Sequence, residues 1–312
     1  MKTSPSLLER LPTWLLLGIS PVAAASNLSV SAWLVDIPPL TLCALRWSMT
    51  SLLLIPLLRA HSFPWDECRH QWRLLISLAT LGLVGMSVTV ALGSRLSSPS
   101  LLSLANSTLP FLIVVCGCAL HGDRLTKPVA GGLLLALVGV AMPAGMQAWH
   151  GAGSGVAGKP SLMGLGILMT GMVSYAIFST RLRLLRGRPS GLSLMAVLSP
   201  VAAVICLGPA VWELVGLGGF HLTGRSVAAV IYLAAVPSAL AIAAWSEGIR
   251  RVGSTRAAVY FALLPVSAAF FNWLLMNVVP SPWECAGFIL IALGLGLSTR
   301  PAKTSGRGAN SL

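Results

Sequence analysis

A single arginine stands inside an apolar stretch long enough to cross a lipid bilayer. Residues 41–58 read TLCALRWSMTSLLLIPLL, and Arg46 is the only charged side chain among them. Arg46 lies ten residues after Asp36, so a helical rise of ~1.5 Å per residue would place it about 15 Å deep, close to the middle of a hydrocarbon layer of ~30 Å. A charge at that depth costs at least ~2.5 kcal/mol and almost always faces the protein interior or a water-filled cavity. Arg46 is therefore our first candidate for a binding residue.

The guanidinium of Arg46 suits two roles. Its planar fork of donors matches a carboxylate or a phosphate, which predicts binding of an anionic group of a substrate. The alternative role is structural, in which Arg46 joins helices by donating to backbone carbonyls left without partners near prolines. The sequence leaves both roles open.

Polar and aromatic side chains inside other apolar runs form a second group of candidates. Amides and hydroxyls also join membrane helices without binding a substrate, at ~0.6 kcal/mol per contact on average, so packing is the competing interpretation for each of them. Asn106 and Tyr260 rank highest, because each lies near a proline that frees backbone carbonyls. The predicted substrate-binding residues are Arg46, Asn27, Asn106, Tyr175, Trp245 and Tyr260, and the weaker candidates are Ser26, Ser107, Ser238 and Asn272.

Two prolines and one carboxylate are candidates for conformational change and for coupling. Pro110 and Pro265 are expected to kink their helices, which makes them candidate hinges. Coupling to protons would require a carboxylate or histidine that both sides of the membrane can reach, and Glu247 is the candidate we retain. Its competing interpretation is an ion pair with Arg250 or Arg251, three and four residues later. The sequence therefore leaves the energy source open.

Motifs for enzymatic or ATP-driven chemistry do not occur in the sequence. A GxxxxGK[ST] loop is missing, which argues against a self-contained ATP-driven pump. The serine, histidine and acidic residues form no catalytic pattern, and Cys116-x-Cys118 lacks the second ligand pair of a zinc site. We therefore predict no catalytic residue, no metal and no cofactor.

Membrane-spanning helices must position these residues. Of the 312 residues 55% are hydrophobic and 9% are charged, and apolar runs recur along the whole chain. A helical span needs about 20 apolar residues, whereas the alternation typical of β-barrel strands is missing here. We therefore predict an all-α polytopic membrane protein with ten transmembrane helices, at about residues 12–34, 38–58, 72–94, 99–120, 127–148, 161–181, 191–213, 226–249, 254–278 and 281–299.

The basic residues predict how these helices are oriented. Seventeen Lys and Arg residues lie in the termini and in the loops on one side, whereas the loops on the other side hold only Arg95, Lys159 and Arg225. The positive-inside rule then places both termini in the cytoplasm. The net charge of +13 thus reflects topology, and nucleic acid is not a predicted partner.

The chain resembles itself after a shift of 155 residues. The aligned pairs are Arg95 with Arg250, Pro110 with Pro265, Gly132 with Gly287, and Gly139 with Gly294. Five spans per half would make the second half enter the membrane in the opposite orientation, so we predict two inverted five-helix repeats, residues 1–150 and 151–300, with a disordered cytoplasmic tail at 301–312. Inverted repeats place a cavity near the midplane and expose it alternately to each side.

Three stretches of the sequence resemble the EamA family of ten-span exporters, in the drug/metabolite transporter superfamily. PPLTLCALRWSMTSLLLIPLL is similar to its second span, and VPSALAIAAWSEGIRRVGSTRAAVYFALLPVSAAFFNWLL to spans eight and nine. SPSLLSLANSTLPFLIVVCGCALHGDRLTKPVAGGLLLALVGVAM is similar to spans four and five, in which a proline precedes a glycine-acid pair, here Gly122-Asp123. The resemblance covers about residues 10–299. Asn277-Val278 stands where the family's second glycine-acid pair is expected, so the second half lacks a counterpart of Asp123.

This resemblance implies a carrier in the bacterial inner membrane that exports a small metabolite. The implied partners are a small-molecule substrate and the lipid bilayer. Formation of a homodimer is compatible with the resemblance but is not decided by it. Arg46 favours an anionic or zwitterionic solute, such as an amino acid. The alternatives are a drug, cation or metallophore exporter of the same fold and, from other classes, a membrane-embedded enzyme acting on lipids or a non-transporting scaffold.

Overall fold

The computed structural model describes residues 10–34, 36–58, 65–96, 105–106, 108–123, 125–151, 162–185, 190–217, 219–220, 222–276 and 282–298. A short helix, Trp65–His70, precedes the third of the long helical rods. The rods are α1 (Thr13–Trp33), α2 (Pro39–Leu58), α3 (residues 72–96), α4 (Leu109–His121), α5 (Lys127–Gly151), α6 (Leu162–Arg181), α7 (Gly191–Leu217), α8 (Gly224–Val252), α9 (residues 254–276) and α10 (Pro282–Ser298).

Five helices of the described part of the chain are long and apolar enough to cross a membrane. They are Pro39–Leu58, Trp72–Gly93, Met163–Leu184, Gly191–Leu217 and Gly224–Val252. The prediction of an all-helical, multi-pass membrane protein is confirmed, whereas the count of ten spans and the cytoplasmic termini stay predictions. Ser107, most of the first third of the predicted span 99–120, and the predicted tail lie outside the described residues.

The contacts between helices come in matched pairs. α1 packs against α8 and α9, and α6 packs against α3 and α4. α2 packs against α7, and α5 packs against α10. Exchanging each helix with the one five places along the chain leaves this set of contacts unchanged. We therefore describe α1–α5 as the first half and α6–α10 as the second half.

Glycines bring α5 and α10 into close contact. A Cβ atom on Gly139 would lie 2.6 Å from the carbonyl oxygen of Gly287, and a Cβ atom on Gly294 would lie 2.5 Å from that of Gly132. Small residues allow membrane helices to approach so closely. Because a rising residue number on α5 meets a falling one on α10, the two helices are antiparallel. The shift of 155 residues relates these two contacts to each other, because Gly139 aligns with Gly294 and Gly132 aligns with Gly287.

One π-helical turn interrupts the middle of α3 and another the middle of α8. The turns are Ala79–Gly85 and Ala234–Leu240, which are again 155 residues apart. π-turns are rare and occur often at functional sites. Pro237 lies inside the second turn, where its missing N–H removes one regular helical hydrogen bond. Both turns border the cavity described below.

Candidate functional site

A cavity of about 620 Å³ lies between the two halves. The first half contributes lining residues from α1–α4 and the second half contributes them from α6–α9. The lining extends from Gly82 and Pro237, in the two π-turns, to Asp36 and Leu217, which are exposed. The cavity thus reaches the surface near Asp36 and Leu217, and we call this side of the molecule the open end. Its volume lies in the ~300–1,000 Å³ range of small-molecule sites.

Arg46 lies in the wall of this cavity, held by side chains from three helices of the first half. Its Nη1 donates to Oδ1 of Asn27 at 3.1 Å, and its Nη2 donates to Oγ of Ser87 at 2.6 Å. Nε1 of Trp47 donates to the same Ser87 oxygen at 3.2 Å. The guanidinium carbon lies 4.9 Å from the centroid of the Trp47 ring, within the range of a cation–π contact. Arg46 is therefore oriented by side chains, and the hydrogen bonds of the described residues give it no backbone acceptor.

Not all hydrogen-bond donors of the Arg46 guanidinium are used within the protein. An arginine has five N–H donors, whereas the two hydrogen bonds above engage one N–H each. Nε makes no hydrogen bond to any described residue, but it is buried. The second N–H of Nη1 and that of Nη2 are therefore the donors left for a ligand. Because the side chain is half-buried and lines the cavity, a bound acceptor can be reached by the remaining donors.

Tyr175 lines the cavity from the second half. Only 7% of it is exposed, and its ring centroid lies 5.4 Å from that of Phe178 and 5.8 Å from that of Phe261. These contacts hold the ring in place, while its hydroxyl makes no hydrogen bond to the described residues. Asn106, which precedes α4, is also a buried part of the lining. The cavity thus brings together four of the predicted binding residues: Arg46, Asn27, Asn106 and Tyr175.

The other two predicted binding residues, Trp245 and Tyr260, are not among the residues that line the cavity. Trp245 is fully buried, and its Nε1 donates to Oγ of Ser179 at 3.1 Å. Its ring packs edge-on against Phe261, with 4.5 Å between centroids, and Phe261 does line the cavity. Trp245 therefore supports a wall of the cavity from behind. Tyr260 is half-buried in the 3₁₀ segment Val259–Ala262, and its binding role stays a prediction.

The two candidate hinges lie where regular α-helix begins. Pro110 is in the first turn of α4, where a missing N–H leaves no helical hydrogen bond unmade. Pro265 is the third residue of Leu263–Met276, directly after the 3₁₀ segment of α9. The position of Pro110 differs from the interior kink that we expected, because the described part of α4 starts at Leu109. Their role as hinges stays a prediction.

Polar contacts join the two halves at the side opposite the open end. Asp123 follows α4, and its Oδ1 accepts a hydrogen bond from Nη1 of Arg183 at 2.6 Å. Its Oδ2 accepts one from Oγ1 of Thr255 at 2.9 Å. Nη1 of Arg251 donates to the backbone oxygen of Leu11 at 2.7 Å. Each of these bonds connects the first half to the second, and we call this side the closed end.

Glu247, the candidate coupling residue, lies at the closed end. It is 3% exposed and forms ion pairs with Arg250 and with Arg251, whose Nε lies 3.0 Å from Oε1. These are the pairs that the competing interpretation of the sequence predicted. The two ion pairs are sufficient to explain why a carboxylate is buried at this position. A role of Glu247 in coupling stays a prediction.

Sequence reasoning missed two residues that the structure places in important positions. Ser87 was not a candidate, yet it bridges Arg46 and Trp47 in the cavity wall. Glu213 was given no role, yet it is 5% exposed and its Oε2 accepts hydrogen bonds from N and Oγ1 of Thr41, at 2.8 and 3.0 Å. Thr41 belongs to the first turn of α2, whose free N–H groups and helix dipole favour a carboxylate. The Pro38-Pro39 pair, which marks this helix start, was the available signal.

Comparisons with known proteins agree with this architecture. Two segments, residues 12–143 and 162–300, match the EamA-like transporter family. The chain is 26% identical to the uncharacterized transporter YetK of Bacillus subtilis (strain 168), over 83% of this chain and 77% of that protein. It is 20% identical to the uncharacterized transporter YyaM of the same organism, over 82% of this chain and 83% of that protein. A solved crystal structure has the same fold, with a TM-score of 0.77 at 19% identity over 93% of this chain and 98% of that one.

The comparisons and the fold lead to one assignment. The first matched segment contains α1–α4 and most of α5, and the second contains α6–α10. The family unit thus occurs twice, in agreement with the matched helix contacts. The relatives are transporters by name, a class distinct from enzymes. The chain belongs to the EamA-like transporter family.

Proposed function

We propose that the protein is a carrier of the bacterial inner membrane that moves a small anionic or zwitterionic metabolite, such as an amino acid. Membership of the family supports transport, and Arg46 supports the class of solute. A half-buried guanidinium that keeps N–H donors for a ligand, in the wall of a cavity between two halves, is the observation on which this proposal depends most. Its positive charge disfavours the cation exporters among the alternatives, because a cation bound there would meet a like charge.

Alternating access is the proposed mechanism, and the difference between the two ends supports it. The cavity is accessible at the open end, while Asp123, Arg183 and Thr255 connect the halves at the closed end. A rocking movement of one half against the other would separate the closed end and bring the walls of the open end together. The antiparallel contact of α5 with α10 is what an inverted repeat requires.

The favoured direction of transport is export. Arg183, Arg250 and Arg251 at the closed end belong to the loops that the positive-inside rule assigns to the cytoplasm. The cavity would then face the outside in this state and would load from the cytoplasm after rocking. Transport by exchange or by facilitated diffusion is compatible with the same movement.

Transport in reconstituted vesicles tests the proposal. Purified protein in proteoliposomes is compared with protein-free liposomes, across a panel of labelled amino acids, organic acids and amines. We expect protein-dependent movement of solutes that carry a carboxylate. The matched variant is Arg46→Ala, whose folding is checked separately by circular dichroism and size-exclusion chromatography. If no solute of the panel moves with folded wild-type protein, the carrier function is wrong.

A further inference from the structure

We propose that the substrate is an amphipathic monoanion, with one carboxylate on an apolar body, bound between Arg46 of the first half and Tyr175 of the second. This inference depends on the proposed carrier function and narrows its class of solute, since it disfavours zwitterions as well as cations. It follows from the charges, the unused donors and the apolar surface of one cavity.

The charged groups of the cavity are unevenly distributed. Arg46 and Asp36 are the charged residues among the described lining. Asp36 is exposed, in the turn before α2. Arg46 follows the first residue of α2, Pro39, by seven positions, which is about 10 Å along the helix axis. An ammonium group of a substrate beside Arg46 would therefore meet a like charge. The carboxylate of the lining that could pair with it, that of Asp36, lies at the rim of the cavity.

Two donors from opposite halves are available to a carboxylate in this cavity. Nη1 and Nη2 of Arg46 each use one N–H in the hydrogen bonds to Asn27 and Ser87 and keep a second one. The hydroxyl of Tyr175, a side chain more than nine-tenths buried, makes no hydrogen bond to the described residues. A carboxylate has two oxygens and about four lone-pair sites, so it can accept from both residues at once. A substrate held in this way would link the two halves, which is how binding can favour their movement.

The remaining lining suits an apolar body. Much of it consists of aliphatic and aromatic side chains, among them Met86, Leu109, Ile242, Phe261 and Leu264. Phe261 is held by edge-on contacts with Trp245 and Tyr175, so its ring is a fixed surface. Removing apolar surface of the substrate from water favours binding. The combination of one cationic residue that binds a carboxylate and an apolar wall is the basis for the predicted class.

A series of three compounds that differ in charge and share a phenyl ring tests the class. The probes are 3-phenylpropionate (anion), phenylalanine (zwitterion) and phenethylamine (cation). Binding is measured by calorimetry on protein in nanodiscs, and movement is measured in proteoliposomes. We expect 3-phenylpropionate to bind and move at least about tenfold better than either of the others, the ratio that one charge-assisted hydrogen bond supplies.

The outcomes separate this inference from the carrier function. A preference for phenylalanine or phenethylamine would overturn the inference and leave the carrier function intact. The same holds if other solutes of the wider panel move while none of the three does. Failure of every solute, with folded protein, overturns the carrier function itself.

Variants at the two anchors test the site. Arg46→Gln should weaken binding of 3-phenylpropionate by at least about tenfold without weakening that of phenethylamine, and Arg46→Lys should retain part of the affinity because the charge remains. Tyr175→Phe keeps the ring and removes one donor, for a loss of about threefold to tenfold. The controls are Arg73→Gln, at an exposed position of α3, and Tyr232→Phe, whose hydroxyl donates to Ser26; none of these three residues lines the cavity.

The controls decide whether the two anchors act as ligands. Arg73→Gln and Tyr232→Phe should leave the affinity for 3-phenylpropionate within about twofold of wild type. If Arg46→Gln weakens the three probes equally, Arg46 supports the fold and does not select an anion. If Tyr175→Phe binds 3-phenylpropionate as tightly as Tyr232→Phe does, Tyr175 is not a ligand.

Discussion

The two ends of the molecule differ in how the halves meet. At the closed end, Asp123 binds Arg183 and Thr255 across the boundary between the halves. At the open end, Glu213 binds Thr41 and connects α7 to α2, but neither residue belongs to the cavity lining. The halves are thus joined through Asp123 at the closed end and beside the cavity lining at the open end. This asymmetry agrees with the proposed alternating access.

The asymmetry of the two ends has a counterpart in the sequence. With a shift of 155 residues, Asp123 aligns with Val278 and Thr255 aligns with Ser100. A valine cannot form the ion pair that Asp123 forms, so the second half lacks the carboxylate that would repeat this contact at the open end. Val278 and Ser100 lie outside the described residues. The state in which the closed end is shut is therefore expected to dominate in the absence of substrate.

Reversing one charge of the closed end should have the largest effect. Arg183→Glu places two carboxylates together, and loss of a charge-assisted hydrogen bond shifts an equilibrium by about tenfold to hundredfold. The readout is labelling of Ser254→Cys by an impermeant maleimide in a cysteine-free background, because Ser254 is fully buried at the closed end. We expect labelling from the side of the closed end to accelerate by that factor.

The charge swap is the matched control for this reversal. In the double variant Asp123→Arg with Arg183→Glu, the ion pair is restored in the opposite sense and labelling should slow toward the wild-type rate. Equal labelling of the single and the double variant would show that the pair does not hold the closed end together.

Removing the buried carboxylate of the closed end should have the next largest effect. Glu247→Gln breaks two ion pairs, but Arg250 and Arg251 are partly exposed and can turn to water. The expected loss is therefore about 1–2 kcal/mol of stability, or a fall in Tm of roughly 2–5 °C. Thermal unfolding in detergent measures it.

The pH dependence of transport decides between the two interpretations of Glu247. If its role is the ion pairs, the profile of Glu247→Gln keeps the wild-type shape while Tm falls. A flat profile in this variant, against a pH-dependent wild type, would instead identify Glu247 as the coupling carboxylate. Glu213→Gln is the comparison, since this second buried carboxylate lies toward the open end.

The repeat was predictable from the sequence because packing fixes where small residues must lie. Gly132, Gly139, Gly287 and Gly294 occur at the positions where α5 and α10 touch, so their common offset was visible without a structure. Which face of each helix points inward was not predictable in the same way. Membrane helices are apolar on all sides, so hydrophobic periodicity does not separate a cavity wall from a lipid-facing surface.

Two features of the site lacked any sequence signal for the same reason. The partnership of Arg46 with Ser87 connects α2 to α3, and nothing in either segment indicates that these residues meet. The π-turn Ala79–Gly85 contains no proline, whereas its counterpart in α8 contains Pro237. Its composition therefore does not indicate a break in the regular helix. By contrast, the position of Arg46 beside a cavity was predictable from the free-energy cost of placing a charge inside an apolar span, because such a charge requires a polar environment.

A smaller effect is expected from the hydroxyl of Thr255 at the closed end. Thr255→Val removes the hydroxyl that donates to Asp123 and keeps the shape of the side chain. The ion pair with Arg183 remains, so we expect labelling of Ser254→Cys to accelerate by only about threefold to fivefold, less than the full value of a hydrogen bond to a carboxylate, because Asp123 keeps its charged partner. Thr255→Ser, which retains the hydroxyl, is the control and should label at the wild-type rate. A larger effect for Thr255→Val than for Arg183→Glu would reverse the ranking of the two contacts.

The smallest effect is expected at the open end, where Asp36 is an exposed carboxylate on the rim of the cavity. An exposed charge acts on an approaching solute through the field it creates in water, which salt screens within ~10 Å at 0.1 M. Asp36→Asn should therefore accelerate uptake of an organic anion by no more than about twofold at low salt, and the gain should vanish at high salt. The same variant should leave labelling of Ser254→Cys unchanged, because Asp36 takes no part in the contacts described at the closed end. An increase in that labelling would mean that the rim of the cavity and the closed end are coupled, and the two ends would then respond as one unit to a single charge.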